Sequence, residues 1–441
     1  MALRGREWNL EVVGMEEALD LLVTGIGRLV TAEGTFPKGG KGMGMLKSIP
    51  KAAIAARARR VVAAGPEEEV LAAAGDRPVG RWLDAAGRLV TPGLIDAHTH
   101  LVHAGSREHE LSLKLQGVSY LEILAAGGGI QRTVSDTRRA AEDDLYEKAR
   151  RTLDVMMTMG TTTVEAKSGY GLEWETERKQ LRVARELNRH HPMDVVSTFL
   201  GAHAVPGEYR DRPDDYVAQV AEEMVPAVAR EHLAEFCDVF CEEGVFSVRQ
   251  SRVILEAGRR WGLRPKVHAD EMADTGGAEL AAEVGAISAD HLLHASEDGL
   301  RALAEGGVVA VLLPGTAFFL GETPAPARKM IDEFALPVAL ATDYNPGSSP
   351  TESLQLIMAM AAATMRMTPE EIVTAVTLNA ACALGRGGET GTLEPGKWAD
   401  FVLWEAENPA YLVYRFGVNH THAVVKKGHV VAVNKKVVGS C

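Results

Sequence analysis

Two histidines separated by one residue, His98 and His100, follow a short apolar segment and have the spacing of metal ligands. Side chains alternate between the two faces of an extended strand, so both imidazoles point the same way, about 7 Å apart along the strand. Two imidazoles that converge from one strand end suit one divalent metal, with Thr99 turned away. Such a pair can also arise by chance, because the chain has 14 histidines.

Polar side chains end several later apolar runs as well, and these are His203, His268, His291 and Asp343. A single histidine after a strand is usually a capping or packing residue, but this repetition favours a shared site. In a parallel barrel the carboxyl ends of the strands form the active-site face. Nitrogen and oxygen ligands point to zinc or iron rather than to a thiolate site. Three or four such ligands with an open position bind a water and lower its pKa towards about 7.

Short apolar runs alternate with Ala- and Glu-rich helical stretches from residue 93 to about 384. This alternation predicts a parallel sheet, and about eight strands favour a closed (β/α)8 TIM-like barrel. The predicted strands after the histidine pair lie at residues 161–166, 194–200, 239–240, 265–268, 289–291, 308–312 and 338–342. One predicted helix spans residues 213–235.

Both chain ends are rich in β patterns and together predict a small β-sandwich domain. Residues 18–31 predict a strand, a turn and a second strand, and the Gly- and Lys-rich residues 33–50 predict an exposed, mobile loop. Residues 66–74 predict a short helix. Residues 391–404 predict a turn and a strand, and residues 422–432 a hairpin with a Lys-Lys-Gly turn. The expected division is therefore 1–92 and 385–441 for the β domain and 93–384 for the barrel.

Composition excludes several classes of protein. The chain of 441 residues is 46% hydrophobic and 24% charged, which is typical of globular proteins. Its formal charge of −13 gives no basic footprint for nucleic acid. No apolar stretch of membrane-spanning length and no leader pattern is present, so we expect no membrane partner and a cytoplasmic location. The four cysteines, Cys237, Cys241, Cys382 and Cys441, show neither zinc-knuckle spacing nor a disulfide framework, which fits a reducing compartment. Cys237 and Cys241 are expected to be buried packing residues.

Several longer stretches resemble the imidazolonepropionases of the amidohydrolase superfamily. The histidine pair, within Thr91-Pro-Gly-Leu-Ile-Asp-Ala-His-Thr-His100, marks only the superfamily. The stretches specific to the family are Ser106-Arg-Glu-His-Glu110, Lys167-Ser-Gly-Tyr-Gly171 and Asp343-Tyr-Asn-Pro-Gly-Ser348. Further matches are Gly127-Gly-Gly-Ile130, His268-Ala-Asp-Glu271 and Ala289-Asp-His291. The resemblance spans the whole barrel and the flanking β segments, and it implies a homodimer.

The resemblance implies a single-metal hydrolase. The implied ligands of one Zn²⁺ or iron ion are His98, His100, His268 and Asp343. Two further residues are implied to move protons: Glu271, which could instead be an acid at a helix start, and His291, which could instead be a partner of Asp343. The implied reaction opens the ring C–N bond of 4-imidazolone-5-propanoate to give N-formimidoyl-L-glutamate, the third step of histidine degradation.

The resemblance also implies a set of substrate contacts. A planar arginine is well suited to a propionate carboxylate, and Arg107 takes that place unless it is a surface residue. His203 is expected to donate a hydrogen bond to the ring carbonyl oxygen. Further residues are expected at the substrate or product: Tyr120, which could equally be a core tyrosine, Tyr170, Glu271, Asn345, Gly347 and Ser348.

Three other interpretations stay open at this point. Lys167 could be a carboxylated lysine that bridges two metals, as in some superfamily members. The chain could be a related amidohydrolase, such as a deaminase of another nitrogen heterocycle, which would not need Arg107 or Tyr170 for a propionate. It could also be a non-catalytic scaffold on the same barrel, although such proteins lose metal ligands and this chain retains them.

Overall fold

A computed structural model describes residues 18–117 and 128–438 of the chain. Within them, seventeen strands form two sheets. The strands, numbered β1 to β17, are Leu19–Thr31, Lys47–Arg57, Arg60–Pro66, Val79–Asp84, Leu89–Pro92, Leu94–Asp96, Thr161–Lys167, Asp194–Ala202, Phe236–Cys241, Arg264–Ala269, Ser288–His291, Val309–Leu312, Val338–Leu340, Phe401–Trp404, Thr421–Lys426, His429–Val433 and Lys436–Val437.

Eight of these strands, β6 to β13, pair in sequential order and all in parallel. The two outer strands of this sheet meet just beyond their carboxyl ends, where Asp343 N donates to His98 O (3.0 Å) and His100 N donates to Tyr344 O (2.9 Å). The side chain of Asp96 reinforces this junction by accepting from Thr342 N and Oγ1. The predicted parallel barrel is therefore confirmed, and its closure brings the first and last strand ends together.

Helices follow most barrel strands and cover the barrel's outer face. The α-helices are Glu67–Ala74, Glu108–Leu115, Ile130–Arg139, Glu142–Thr158, Trp174–His190, Pro213–Gln219, Val225–Arg230, Val248–Arg260, Gly277–Glu283, Glu297–Gly306, Pro314–Leu320, Ala327–Asp332, Leu354–Met365, Pro369–Thr374, Ala380–Ala383 and Pro409–Tyr414. Short π-helical segments at Val220–Met224 and Ala375–Asn379 join neighbouring α-helices. Short 3₁₀ helices lie at Gly40–Gly44 and Gly207–Tyr209. Among the described residues, no helix combines the length and apolarity that a membrane crossing requires.

The other nine strands form one continuous, mostly antiparallel sheet that draws on both chain ends. Its order is β17-β16-β15-β14-β5-β1-β2-β3, with β4 beside β1. β14 pairs with β5, so the carboxyl end of the chain completes the sheet that the amino end begins. Large buried side chains, Phe401 among them, pack with Leu21 and Ile54 on one face. The domain boundaries at 92/93 and 384/385 stay a prediction.

Two local predictions in the first part of the chain are wrong. Residues 19–31 form one long strand, and the register shift around Gly25, whose φ is +64°, is a bulge rather than a turn between two strands. Residues 33–50 are not a free loop. Met43 is fully buried, Asn379 exchanges two hydrogen bonds with the Lys38 backbone, and β2 begins at Lys47. Glycine-rich composition indicated flexibility, but packing against the barrel overrides it.

Candidate active site

Three imidazoles and one carboxylate converge at the carboxyl end of the barrel. The ligand atoms of His98, His100 and His268 all lie within 4.8 Å of one another. Asp343 Oδ1 is 3.4 Å from His98 Nε2 and 3.5 Å from His100 Nε2. Chain topology explains the convergence, because the closure of the barrel places Asp343 beside the first histidine pair and the fifth strand of the barrel, β10, carries His268.

These side chains fit a divalent metal. Two ligands of one tetrahedral zinc lie about 3.3 Å apart when each bond is about 2.0 Å long, which matches both oxygen–nitrogen distances. Within the described residues, His98 Nε2, His268 Nε2 and Asp343 Oδ1 are buried without a hydrogen-bond partner. Burial lowers the pKa of all three histidines well below 6.5, so the rings are neutral and their lone pairs are available.

Neighbouring polar groups contact these candidate ligands. His98 Nδ1 forms a 2.6 Å hydrogen bond with Asp290 Oδ2, whereas His268 Nδ1 lies 3.1 Å from Asp238 Oδ2 without the geometry of a hydrogen bond. Thr316 Oγ1 donates to Asp343 Oδ2 at 2.6 Å, which leaves Oδ1 to face the histidines. The backbone of Asp343 has a φ of +52°, a conformation that costs roughly 1–3 kcal/mol and persists only when its surroundings hold it.

Glu271 and His291 lie next to each other at the edge of this cluster. Glu271 Oε2 is 3.6 Å from His291 Nε2. Burial and the negative charges of Asp343 and Glu242 raise the pKa of Glu271 to about 8. Burial lowers the pKa of His291 to about 4. At neutral pH this pair therefore consists of a protonated carboxyl and a neutral imidazole.

The alternative that Glu271 caps a helix is wrong. The next helix begins at Gly277, and its first N–H groups are bonded by Asp270, which accepts from Gly277 N at 3.0 Å and Ala278 N at 2.9 Å. Glu271 lies outside that arrangement and faces the histidines instead.

His203 stacks on His100, with ring centroids 4.7 Å apart and an interplanar angle of 11°. Its Nδ1 lies 3.1 Å from Gly169 O, and a carbonyl oxygen only accepts, so Nδ1 carries the proton. Burial lowers the pKa of His203 to about 4, so the neutral ring presents an acceptor at Nε2. The donor role expected for this residue would need the imidazolium form.

Arg107 is held beside the loop that follows Asp343. Its Nε and Nη2 lie 3.0 and 2.9 Å from Glu110 Oε2. A Cβ atom built on Gly347 would lie 2.1 Å from Arg107 Nη1, so the guanidinium rests against this glycine. The Arg107 side chain is only 9% exposed, which excludes the surface-residue alternative.

The loop of Asn345, Gly347 and Ser348 is bonded within itself. Asn345 Oδ1 accepts from Gly347 N and Ser348 N, both at 2.8 Å. Asn345 Nδ2 donates to Asp343 O at 2.7 Å, so this side chain fixes the loop relative to the carboxylate. Contacts of these three residues with the product stay a prediction.

Tyr170 is buried and lies over the histidine cluster, with ring centroids 5.6 Å from His100 and 5.3 Å from His203. Tyr170 is therefore close enough to the histidines for the expected contact with substrate, which stays a prediction. Tyr120 lies outside the described residues.

Lys167 is not placed as a metal-bridging residue. Its Nζ lies 2.6 Å from Asp238 Oδ2, 3.0 Å from Glu165 Oε2 and 3.3 Å from Asp290 Oδ2. These carboxylates raise its pKa well above the ordinary value although burial opposes them, and a protonated amine does not react with carbon dioxide. The interpretation of Lys167 as a carboxylated ligand is therefore wrong.

Sequence reasoning missed the polar residues that support the ligands, namely Asp238, Asp290, Thr316, Glu165 and Lys266. The sequence does contain a pattern that points to one of them, Lys266. Strand side chains two positions apart share a face, so Lys266 lies on the same face of β10 as His268. The register of β10 and β11 pairs His268 with Asp290. The cross-strand partners themselves depend on the register, which the sequence does not state.

Comparison with known proteins agrees with this architecture. The model of the Amidohydrolase family matches residues 89–433. The chain is 57% identical over 379 residues to an imidazolonepropionase of Geobacillus thermodenitrificans, covering 86% of this chain and 89% of that protein. It is 52% identical over 425 residues to an imidazolonepropionase of Alkaliphilus metalliredigens, covering 95% and 100%.

Two solved structures share the fold at low identity. One is an atrazine chlorohydrolase of Arthrobacter aurescens complexed with zinc, with a TM-score of 0.71, 18% identity and coverage of 96% of this chain and 97% of that one. The other is an adenosine deaminase of Xanthomonas campestris with bound zinc, with a TM-score of 0.70, 19% identity and coverage of 96% and 95%. The sequence relatives are far more similar, and on their identity and coverage this chain belongs to the imidazolonepropionases, hydrolases of the amidohydrolase family.

Proposed function

We propose that this protein hydrolyses the ring C–N amide bond of 4-imidazolone-5-propanoate to give N-formimidoyl-L-glutamate, in a metal-dependent reaction of histidine degradation. The observation that carries the proposal is the identity of 52–57% to imidazolonepropionases over most of the chain. The geometry of the histidine cluster alone would suit other metal-dependent hydrolases as well.

One divalent metal, zinc or iron, would be held by His98, His100, His268 and Asp343. When bound there, it would lower the pKa of a water molecule and polarise the ring carbonyl. The chain's own residues must then take the proton of the attacking water. We assign this to Asp343 and His291, since the lowered pKa of His291 leaves its ring unprotonated and able to accept at neutral pH.

Glu271 supplies the opposite proton transfer. Attack of water on the ring carbonyl carbon forms a C–O bond, and the C–N bond then breaks. The departing nitrogen requires a proton, and a carboxyl with a pKa raised to about 8 carries one at neutral pH. The short separation of Glu271 and His291 allows the proton taken from the water to return to Glu271 after each turnover.

The substrate is positioned by groups on the other side of the cluster. Arg107 is assigned to the propionate carboxylate, since a guanidinium suits a carboxylate. Glu110 fixes two of its nitrogens, and Nη1 lies against the loop at Gly347. His203 accepts a hydrogen bond from a ring N–H through Nε2, which replaces the donor role expected from the sequence. Tyr170, with Tyr120, Asn345, Gly347 and Ser348, completes the proposed substrate contacts.

The test is the decay of imidazolone propionate absorbance with purified protein, before and after chelation and after zinc or iron is restored. We expect turnover that is lost on chelation and regained with metal. Guanine, cytosine and hydantoin serve as control substrates for a deaminase or another cyclic amidase. Turnover of one of these without turnover of imidazolone propionate would contradict the proposal.

Three finer points belong to the same proposal. We infer a homodimer, a cytoplasmic location and no nucleic-acid partner, the last from the formal charge of −13. Light scattering of the purified protein measures its mass in solution and tests whether it is a homodimer. Metal analysis of protein purified without added metal decides between zinc and iron.

A further inference from the structure

A cluster of ionic side chains lies inside the barrel, in contact with the histidines. We name it the buried ion cluster, and it consists of Glu165, Lys167, Asp238, Lys266 and Asp290. Each of these residues is at most 1% exposed. Burying charges at such a depth is costly unless they are paired, so an arrangement of this kind needs a structural or functional reason.

Lys167 is the centre of this cluster. Its Nζ contacts three carboxylates, those of Asp238 at 2.6 Å, Glu165 at 3.0 Å and Asp290 at 3.3 Å. An ammonium group has three N–H donors, so three acceptors match its capacity. Lys266 differs, since its Nζ contacts Glu165 Oε1 at 2.8 Å and the carbonyl oxygen of Ala97 at 3.4 Å.

Two of the oxygens that contact Lys167 also contact the proposed metal ligands. Asp290 Oδ2 lies 2.6 Å from His98 Nδ1, and Asp238 Oδ2 lies 3.1 Å from His268 Nδ1. Asp290 accepts from His98 Nδ1–H, which fixes the tautomer and the direction of that ring so that Nε2 faces the proposed ion, whereas Asp238 is a charged neighbour of His268 Nδ1 without a hydrogen bond. One ammonium group thus lies between the carboxylate that orients His98 and the carboxylate beside His268.

We propose that Lys167 is a positioning residue for the metal site: it holds Asp290, which orients His98, and it holds Asp238 beside His268. The inference rests on the metal site of the proposed function. It assigns no contact with substrate to Lys167.

The charge balance supports this role. Counted with every group ionised, two lysines and three carboxylates give the buried ion cluster a formal charge of −1, and Asp343 brings the total to −2, which a divalent cation would neutralise. Without the Lys167 ammonium, three buried carboxylates would face only Lys266. Their mutual repulsion favours rotation of the carboxyl groups away from one another, and rotation of Asp290 removes the acceptor for His98.

The test compares Lys167→Met with Lys266→Met in the full chain. Both variants remove one buried lysine of the same cluster, but of the two only Lys167 contacts Asp290, the carboxylate that orients His98. The dissociation constant for Zn²⁺ is measured by competition with a chromophoric chelator, and circular dichroism checks folding. We expect Lys167→Met to bind zinc about 10- to 100-fold more weakly, the usual effect of losing an outer partner of a ligand. Lys266→Met should stay within about threefold of the wild type, since both histidine partners remain in place.

A double-mutant cycle with Asp290→Asn separates positioning from general damage. If Lys167 acts through Asp290, the losses of zinc affinity in the two single variants will not multiply in the double variant. Should Lys167→Met fail to fold, Asp290→Asn is expected to weaken zinc binding, and unchanged binding overturns the inference.

The outcomes distinguish this inference from the proposed function. A folded Lys167→Met that binds zinc as tightly as the wild type overturns the inference alone. Equal losses in Lys167→Met and Lys266→Met also overturn it, because they would indicate a general charge effect. A wild-type protein that binds no divalent metal overturns both.

Discussion

Individual side chains in this site have protonation states set by what surrounds them. Glu271 and Asp343 are both carboxyl groups near the same histidines, yet they are assigned different tasks. Burial raises the pKa of Asp343 to about 7, while the hydrogen bond from Thr316 to Oδ2 lowers it, and Oδ1 faces the imidazoles of His98 and His100. Glu271 is buried beside two negative neighbours, which raises its pKa further, to about 8, and keeps its proton at neutral pH. The first carboxyl is therefore proposed as a ligand and the second as an acid.

Replacing Glu271 by glutamine should lower kcat about 10²- to 10⁴-fold while the metal content stays that of the wild type. The pH dependence follows from the direction of its shift. A carboxyl with a raised pKa holds its proton below about 8, so wild-type kcat should fall as pH rises through that value. The residual activity of Glu271→Gln should lack this alkaline decline. Turnover measured across pH 6–10 decides, and an unchanged kcat would refute the acid role.

A variant of Glu242 gives a second test of whether Glu271 is the group that titrates. Its carboxylate is buried, accepts from Met272 N at 2.8 Å, and is one of the causes that raise the pKa of Glu271. Glu242→Gln keeps the shape and removes the charge, so the pKa of Glu271 should fall. The alkaline decline of kcat should then begin at a lower pH, with zinc affinity unchanged. A decline that stays in place would show that Glu271 is not the titrating group.

Several of the site side chains lie on loops that follow the barrel strands. Where such a loop packs directly against a side chain, a residue without a Cβ atom is needed. Gly347 is such a position, since a Cβ there would lie 2.1 Å from Arg107 Nη1. Asn345 holds the same loop through its bonds to Gly347 N and Ser348 N. The loop is therefore built around the guanidinium that is proposed to bind substrate.

Gly347→Ala should displace the Arg107 guanidinium and raise KM roughly 10- to 100-fold. This is the expected effect of losing the charge-assisted hydrogen bonds between Arg107 and the substrate carboxylate, which are worth about 1.5–3 kcal/mol. The value of kcat should change less, because the proton-transfer groups lie elsewhere. Gly207→Ala is the matched control, since no atom lies within 4 Å of a Cβ built there. Steady-state kinetics of both variants test this, and a Gly347→Ala enzyme with wild-type KM would contradict the binding role of Arg107.

At the scale of the whole molecule, the sequence predicted the barrel well because its strands are fully buried and read as short apolar runs between helices. The ends of those runs also indicated every proposed ligand. Other features could not be read in this way. The packing of residues 33–50 depends on Asn379, more than 300 positions away, and the partners of Lys167 depend on strand register. The hydrogen-bonding role of His203 could not be predicted either, because its tautomer depends on the contact of Nδ1 with Gly169 O.

Metal removal should lower the stability of the whole barrel, not only its activity. Within the described residues, His98 Nε2, His268 Nε2 and Asp343 Oδ1 are buried without a hydrogen-bond partner, and together with His100 these side chains form the proposed ion site. A ligand present at 1,000 times its dissociation constant stabilises the native state by about 4 kcal/mol. We therefore expect chelation to lower Tm on the order of 5–10 °C in a thermal scan. Restoring zinc should recover Tm in the wild type, whereas His98→Asn should respond weakly to either treatment. A verified metal-free wild type with the same Tm as the loaded protein would mean that these four side chains hold no ion, because loss of a bound ligand must cost the native state its binding free energy.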